Sequence, residues 1–303
     1  MKWRGGRQSS NVEDRSGRSA GSGGKIMAGG GIGTIVIAVL FFLFSGGDLN
    51  SVTDILGGGQ AANYQTENVA SDEYTEEKEF SAVVFGHLED YWNGVFEAEQ
   101  TTYQVPKLVL FTGSVQSACG NATSQVGPFY CPADQNVYLD VSFATELSQK
   151  YGASGDFAMA YVIAHEVGHH VQNELGITQQ LDKIRQQVSE KEYNQYSVRL
   201  ELQADYLAGT FAKYLQGKTY NGQPILEADD IEEAITAANA IGDDTLQKEY
   251  QGYVVPDSFT HGTSKQRVEW FNRGFKYGDL EHGDTFNEKT LIWSTDHNKN
   301  VPF

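Results

Sequence analysis

Two stretches in the middle of the chain repeat apolar side chains at intervals of three and four residues, which is the spacing of an amphipathic helix. The first covers residues 157–172, and Ser154 and Asp156 before it are candidate N-caps. The second covers residues 199–215. Residues 137–140 predict a short strand. Together these elements predict an α+β fold that is mainly helical.

One long apolar run lies near the N-terminus. Residues 26–44 contain no charged side chain, and a helix of this length, at about 1.5 Å per residue, spans roughly 28 Å, close to the apolar core of a bilayer. The run predicts a single transmembrane anchor. Two alternatives stay open. One is the apolar region of a cleaved signal peptide, although no A-x-A site follows it; the other is a buried soluble helix, which the clustered glycines disfavour.

Composition divides the rest of the chain into three parts. Residues 1–25 are basic and rich in Gly and Ser, which predicts a disordered tail. Residues 45–78 are Gly-rich and then acidic, and they are expected to form a linker. The folded domain is therefore expected to occupy residues 79–303.

The net charge of −18 is unevenly distributed. Six basic and two acidic side chains give the first 25 residues a charge of +4, so the remainder carries −22. Because the basic residues precede the apolar run, the positive-inside rule places the N-terminus in the cytoplasm and the acidic C-terminal domain outside. A body this acidic repels nucleic acid, so no nucleic-acid partner is expected.

The two cysteines, Cys119 and Cys131, both fall in the domain that is expected outside the cytoplasm. In an oxidising compartment, two cysteines at this spacing favour a disulfide. The alternatives are two buried free thiols or half of a metal site, and the absence of a C-x-x-C pair disfavours the metal site.

The first predicted helix carries an H-E-x-x-H motif, formed by His165, Glu166 and His169. Residues four apart lie on one face of a helix, so both imidazoles can hold one Zn²⁺. Glu166 follows the first ligand and can act on a metal-bound water as a general base. Gly168 leaves room for a second element to approach closely. His170 points about 100° away from His169 around the helix and is not expected to join the site.

The second predicted helix offers a third ligand. Glu201 and Asp205 lie four residues apart beside its apolar stripe. Glu201 would complete a His₂Glu zinc site of the gluzincin type, with a fourth position open to water. Asp205 would orient a ligating imidazole through its other ring nitrogen. Taken alone, two such carboxylates are more typical of a solvated helix edge, and the upstream motif reverses that preference.

Distinctive stretches occur along nearly the whole chain: MKWRGGRQSSNVEDRSG, CGNATSQVGPFYCPADQNVYLD, HEVGHH, ELQAD and HGTSKQRVEWFNRGF. In these stretches the chain resembles the bacterial neutral zinc metallopeptidases of the YpfJ-like family. The resemblance implies a zincin-like metallopeptidase domain, with Zn²⁺ held by His165, His169 and Glu201. With the charge pattern, it implies a single-pass protein of the bacterial inner membrane whose catalytic domain is periplasmic or extracellular.

A wider similarity is to HtpX-like and CAAX-processing membrane peptidases. These carry H-E-x-x-H, a downstream Glu-x-x-x-Asp, and a later His with an Arg six residues on, and His261 and Arg267 have that spacing here. The similarity implies that His261 stabilises the oxyanion and that Arg267 braces the site. The alternative is a surface loop that leads into a helix over residues 264–274, capped by Thr263 or Ser264.

These features predict a zinc metallopeptidase that hydrolyses peptide bonds in envelope proteins or peptides. In zincins an edge strand holds the substrate in extended form, and residues 137–140 are the candidate strand. Two other functions stay open: an envelope scaffold that retains zinc for structure, and a zinc amidase that acts on cell-wall peptides. The intact Glu166 argues against the scaffold, because a structural site has no use for a carboxylate directed at bound water.

Overall fold

Helices α1 to α8 dominate the part of the chain that the computed structural model describes, residues 1–17 and 74–287. Their bounds, in chain order, are Thr75–Ala98, Phe143–Gln149, Asp156–Glu174, Ile177–Arg185, Glu190–Gln216, Asp230–Ala240, Asp243–Gln251 and Ser264–Tyr277. The helices predicted from periodicity over residues 157–172 and 199–215 are α3 and the C-terminal part of α5. The helix predicted after His261 is α8, and Thr263 caps it.

Strands β1 to β8 form a four-stranded sheet and two hairpins within the described residues. Their bounds are Val12–Asp14, Lys107–Phe111, Ser114–Ser117, Gly120–Thr123, Phe129–Cys131, Asn136–Asp140, Thr219–Tyr220 and Gln223–Pro224. The sheet has the order β1-β2-β6-β5, in which β1, β2 and β6 are parallel and β5 is antiparallel to β6. Residues 137–140 therefore lie in an inner strand, and the prediction that they form the sheet edge is wrong. The edge next to β6 is β5.

Successive side chains of β2 point to opposite faces of the sheet, and both faces are buried. Leu108 and Leu110 pack into the main core with residues of α1 and α3. Val109 and Phe111 point to the other face and pack under the β3–β4 hairpin. Because the main core holds the sheet against α3, the edge strand β5 lies beside the helix that carries the H-E-x-x-H motif.

Two glycines bring the helices of the candidate site into close contact. A Cβ atom on Gly168 of α3 would lie 3.2 Å from the Cα atom of Ala204 in α5, so these helices cross there. Helices α5 and α8 approach even more closely, because a Cβ atom on Gly274 would lie 2.0 Å from the carbonyl oxygen of Tyr206. A contact that short is not available to any residue with a Cβ, so this crossing requires glycine.

The N-terminal residues are part of the folded domain. Met1 and Trp3 are buried, at 6% and 3% exposure, and β1 pairs in parallel with β2. The prediction of a disordered tail is therefore wrong for residues 1–17, whereas residues 18–25 lie outside the described residues. The Gly-rich, basic composition does not indicate that Met1 and Trp3 are buried. It also does not indicate that arginines of this segment have partners far along the chain.

The domain resumes slightly before the predicted boundary. Helix α1 begins at Thr75 rather than near residue 79, so the last four residues of the predicted linker belong to the helix. The predicted anchor, residues 26–44, and the rest of the linker lie outside the described residues. None of the described helices combines the length and the apolar character needed to cross a bilayer.

Candidate metal centre

His165 and His169 of α3 face Glu201 of α5 in a largely buried cluster. Nε2 of His165 lies 3.1 Å from Oε2 of Glu201, and Nε2 of His169 lies 3.5 Å from Oε1. The candidate ligand atoms all lie within 4.8 Å of one another. Helix α3 places the two imidazoles one turn apart on one face, and the close crossing at Gly168 brings Glu201 to them. The structure therefore brings together the three residues that the sequence assigns to zinc.

Glu201 provides a test of whether a metal ion fits this cluster. Its side chain is 2% exposed, and its Oε1 is buried without a hydrogen-bond partner among the described residues. A buried carboxylate oxygen without a partner is costly, and a bound cation would satisfy it. Two imidazoles and one carboxylate are a donor set that zinc accepts, with a fourth position left open. These residues fit Zn²⁺.

Asp205 supports the first imidazole from behind. Its Oδ1 accepts hydrogen bonds from Nδ1 of His165 at 2.8 Å and from the hydroxyl of Tyr161 at 2.6 Å. Arg267 of α8 donates to the same carboxylate through Nε and Nη2, at 2.9 and 3.0 Å. Because Nδ1 of His165 is held by Asp205, Nε2 is the ring nitrogen left to bind a metal.

The charges of these buried groups depend on one another. Burial raises the pKa of Glu201, but His169 and His261 outweigh it and hold the pKa well below its usual range. Burial also raises the pKa of Asp205, but Arg267 and His165 together more than offset this, so the pKa is lowered. Both carboxylates are therefore ionised. Asp205 and Arg267 form a buried ion pair with two hydrogen bonds, which is a strong and directional contact.

His169 has a support that sequence reasoning missed. Its Nδ1 lies 2.9 Å from Oε1 of Gln172, and Nε2 of Gln172 donates to the carbonyl oxygen of Leu200 at 2.7 Å. Gln172 thus holds the ring of one candidate ligand and connects α3 to α5 next to the other. The available signal was its position three residues after His169 on one helix face.

His261 reaches the same region from the loop before α8. Its Nδ1 lies 3.2 Å from Oδ1 of Asp243, at the start of α7. Oδ2 of Asp243 accepts the backbone N–H groups of Thr260, His261 and Gly262, at 2.8, 2.7 and 2.9 Å. His261 is buried, so it does not lie on the surface loop that was the alternative. Asp243 was not identified from the sequence. Because Asp243 holds Nδ1 of His261, Nε2 is the ring nitrogen that can contact a substrate.

Known proteins are similar to this chain over most of its length. A family model described as "Putative neutral zinc metallopeptidase" matches residues 1–286. The chain belongs to this family. The uncharacterized protein YpfJ of Escherichia coli K12 is 46% identical to it over 291 residues, which cover 94% of this chain and 99% of YpfJ. The uncharacterized protein Rv2575 of Mycobacterium tuberculosis is 42% identical over 195 residues, which cover 62% of this chain and 65% of Rv2575. No solved structure matches the chain.

In this member of the neutral zinc metallopeptidase family, Glu166 lines an open cavity beside the three candidate ligands. Burial raises the pKa of Glu166, an effect that His169 and His165 oppose without cancelling it. A carboxylate whose pKa is raised toward neutral exchanges a proton more readily than an ordinary one. Its position and its pKa therefore suit a group that moves protons beside the metal.

The cavity of this zinc metallopeptidase family member is mostly apolar. Apart from the three candidate ligands, its charged or titratable lining consists of Glu166, His261 and Arg267, together with tyrosines, as far as the described residues go. The apolar walls come from α3, from the segment around β5, from α2, from α7 and from the residue after α6: Val126, Phe129, Phe143, Val162, Ile241 and Leu246. A large apolar side chain could be enclosed here without losing the solvation of a charge.

Strand β5 borders this cavity through Phe129 and Tyr130. Cys131, at the end of the strand, is disulfide-bonded to Cys119 in the turn between β3 and β4. The predicted disulfide is therefore confirmed, and it fastens the hairpin to the edge strand.

His170 also contacts β5, although it lies outside the metal cluster as expected. Its Nδ1 lies 3.1 Å from the hydroxyl of Tyr130, and its Nε2 lies 2.6 Å from the carbonyl oxygen of Gln104. The residue after the second candidate ligand thus connects the edge strand to α3. Strand β5 is therefore held by the disulfide to the β3–β4 hairpin and by His170 to α3.

Proposed function

We propose that this protein is a zinc-dependent peptidase. One observation carries the proposal: His165, His169 and Glu201 form a complete set of candidate ligands, whereas Glu166 of the same motif stays outside that set and lines the cavity. A purely structural site needs the ligands but not the additional carboxylate. Membership of a family described as zinc metallopeptidases supports the same class of activity.

The side chains around the cavity would each have a separate role in hydrolysis. When bound, Zn²⁺ would polarise the scissile carbonyl and lower the pKa of a water molecule. Glu166 would accept the proton of the attacking water and pass it to the leaving amine. His261, held by Asp243, would donate a hydrogen bond to the carbonyl oxygen as it becomes negative. Asp205 would keep His165 in the tautomer that binds metal.

The substrate that best fits this site is an extended peptide with a bulky apolar side chain next to the scissile bond. Strand β5 is an edge strand of the sheet and borders the cavity, so a peptide could add to it through main-chain hydrogen bonds. Main-chain pairing gives affinity with little sequence preference, and the apolar cavity would supply the selectivity. Because the disulfide favours a location outside the cytoplasm, envelope proteins or peptides are the substrates that we propose.

We place this activity outside the cytoplasm, at the bacterial inner membrane. The Cys119–Cys131 disulfide supports the oxidising compartment, because structural disulfides are rare in the cytosol. The apolar run of residues 26–44 supports attachment to the membrane, and the attachment that we propose does not require that the run crosses the bilayer once. Residues 1–17 pack against the domain, which argues against the cytoplasmic position predicted for the N-terminus.

Separate replacement of Glu166 and Glu201 tests the two roles. Glu166→Gln keeps size and helix propensity but removes the proton acceptor, so hydrolysis should fall by about 10²–10⁴-fold while zinc content and Tm stay at wild-type values. Glu201→Gln removes a charged ligand, so zinc content should fall together with the rate. The measurements are elemental analysis, thermal unfolding and hydrolysis of casein by zinc-loaded protein.

Glu174→Gln is the matched control, because it makes the same change on α3 at a residue that does not line the cavity. If Glu166→Gln loses zinc and Glu201→Gln keeps it, the two roles are reversed. If stable wild-type protein binds zinc but cleaves neither casein nor muropeptides, the scaffold function gains support. Cleavage of muropeptides alone would favour the amidase.

A further inference from the structure

The N-terminal segment, residues 1–17, contacts the start of the helix that carries the candidate metal ligands. Nε1 of Trp3 donates to Oδ2 of Asp156, the first residue of α3, at 2.8 Å. The amino group of Met1 donates to Oδ1 of Asp230, the first residue of α6, at 2.8 Å. Both contacts are made by buried residues of the segment.

Helix α6 in turn holds the first turn of α3. No side chain caps α3 at its own N-cap position. Instead, Oε2 of Glu233 in α6 accepts the backbone N–H of Phe157 at 2.8 Å. The N-terminal segment therefore supports the start of α3 twice, directly through Trp3 and indirectly through α6.

The domain contains a buried acidic group whose partners lie on the N-terminal segment. Glu89 of α1 is 8% exposed. It accepts hydrogen bonds from Asn11 at 2.8 Å, from Arg7 at 3.2 Å and from the hydroxyl of Ser9. Without the segment this carboxylate would lose these partners, which is strongly unfavourable for a buried charge.

The arginines of the segment form ion pairs within the fold. Arg7 also pairs with Asp90, Arg4 pairs with Glu76, and Arg15 pairs with Glu13. These arginines belong to the positive charge on which the positive-inside rule placed the N-terminus in the cytoplasm. Because they are neutralised by acidic residues of the same folded body, they are a weak guide to the side of the membrane.

We infer that residues 1–17 lie on the same side of the membrane as the domain that carries the metal site, as a permanent part of it. A chain that crossed a bilayer once between residues 17 and 74 would separate the two parts by an apolar core of about 30 Å. Hydrogen bonds of 2.8 Å between them could not then form. The disulfide places that shared side in the oxidising compartment.

Site-directed labelling of the full chain in bacterial spheroplasts tests the shared side. Arg4→Cys and Glu76→Cys are introduced singly at two exposed positions, and the native cysteines do not react because they are paired. A membrane-impermeant maleimide is added before or after lysis. We expect both variants to be labelled to the same extent before lysis. Labelling of one variant before lysis and of the other only afterwards would overturn the inference.

Cross-linking of the double variant Arg4→Cys/Glu76→Cys tests the contact itself. A short bismaleimide should link the two positions in cells, as seen by mass spectrometry of the joined peptides. Arg4→Cys/Lys191→Cys is the control. Lys191 lies at the start of α5, whereas Gly5, next to Arg4, contacts Tyr220 just beyond the end of α5. Positions 4 and 191 are therefore separated by about the length of this helix, roughly 40 Å. A link in purified protein but not in cells would overturn the inference.

Discussion

Val162 lies one turn before His165 on α3 and forms part of the cavity wall. Val171 lies on the same helix but is enclosed by the core. We predict that Val162→Ala enlarges the cavity, so that kcat/KM for peptides with Trp next to the scissile bond rises about tenfold relative to peptides with Ala there. Val171→Ala removes the same atoms from the core. It should lower stability by roughly 1–3 kcal/mol and leave the ratio unchanged.

A peptide series varied at this one position provides the measurement. Wild-type protein should cleave peptides with Asp or Lys there roughly 10–100-fold more slowly than those with Phe or Leu, because the cavity would take the charge out of water. Equal rates for all side chains would contradict the apolar subsite without contradicting hydrolysis itself. If Val171→Ala changed the ratio of kcat/KM for Trp peptides to that for Ala peptides as much as Val162→Ala does, the effect of Val162→Ala would not be local.

The candidate ligands and their supporting residues differ in how far the sequence predicts them. His165 and His169 can be predicted because helical spacing alone places them on one face. Glu201 needs the upstream motif to distinguish it from a solvated carboxylate. Gln172 shares a helix face with His169, but that spacing alone does not distinguish a supporting residue from any other polar residue, and Asp243 has no such spacing. Their roles depend on where α5 and the loop before α8 lie in three dimensions, and a single sequence does not contain that information.

At the scale of elements, the site depends on how closely α8 approaches α5. Gly274 lies two turns after Arg267 on α8, so a shift at this crossing would move the residue that holds Asp205. We predict that Gly274→Ala lowers the free energy of unfolding by roughly 3 kcal/mol or more, because its Cβ would overlap the backbone of α5. Chemical denaturation measures this change.

Gly94→Ala is the control for that substitution. Gly94 lies within α1, and a Cβ there would meet no atom within 4 Å. The same change should therefore stabilise the protein by about 0.5–1 kcal/mol, through helix propensity alone. If Gly274→Ala were as stable as Gly94→Ala, the close crossing of α5 and α8 would be refuted.

Elements made by local contacts were predicted, and elements made by distant contacts were not. Helix α3 and the C-terminal part of α5 follow from the spacing of apolar residues, and the start of α8 follows from its candidate capping residues. Strand β1, by contrast, is three residues long and pairs with a strand more than ninety positions later, so nothing nearby in the sequence indicates it. The sheet edge was assigned to β6 instead of β5 for the same reason, because strand order depends on pairing between distant segments.

At the scale of the whole molecule, the amino group of Met1 joins the N-terminal segment to a residue 229 positions away, Asp230. Burial lowers the pKa of this amino group, but the hydrogen bond and the charge of Asp230, with smaller contributions from the charges of Asp156 and Glu227, outweigh burial, so the pKa is raised above its usual 8.0. A group whose pKa is raised by folding stabilises the folded state while it is protonated. That contribution is complete below about pH 8 and is lost as the pH rises through the pKa of the folded state.

We therefore predict that the free energy of unfolding falls from about pH 8 upward and that Asp230→Asn reduces this fall. The variant should be less stable at pH 7 by about 1.5–3 kcal/mol, because a hydrogen bond between charged groups is replaced by one to a neutral amide. Urea unfolding at pH values from 7 to 10 measures both effects. Glu227→Gln is the control: Glu227 lies 3.5 Å from the same amino group but its side chain is 53% exposed, so its loss should change stability by less than about 1 kcal/mol. If the free energy of unfolding of Asp230→Asn fell above pH 8 as steeply as that of the wild type, the Met1 amino group would not be held by this carboxylate.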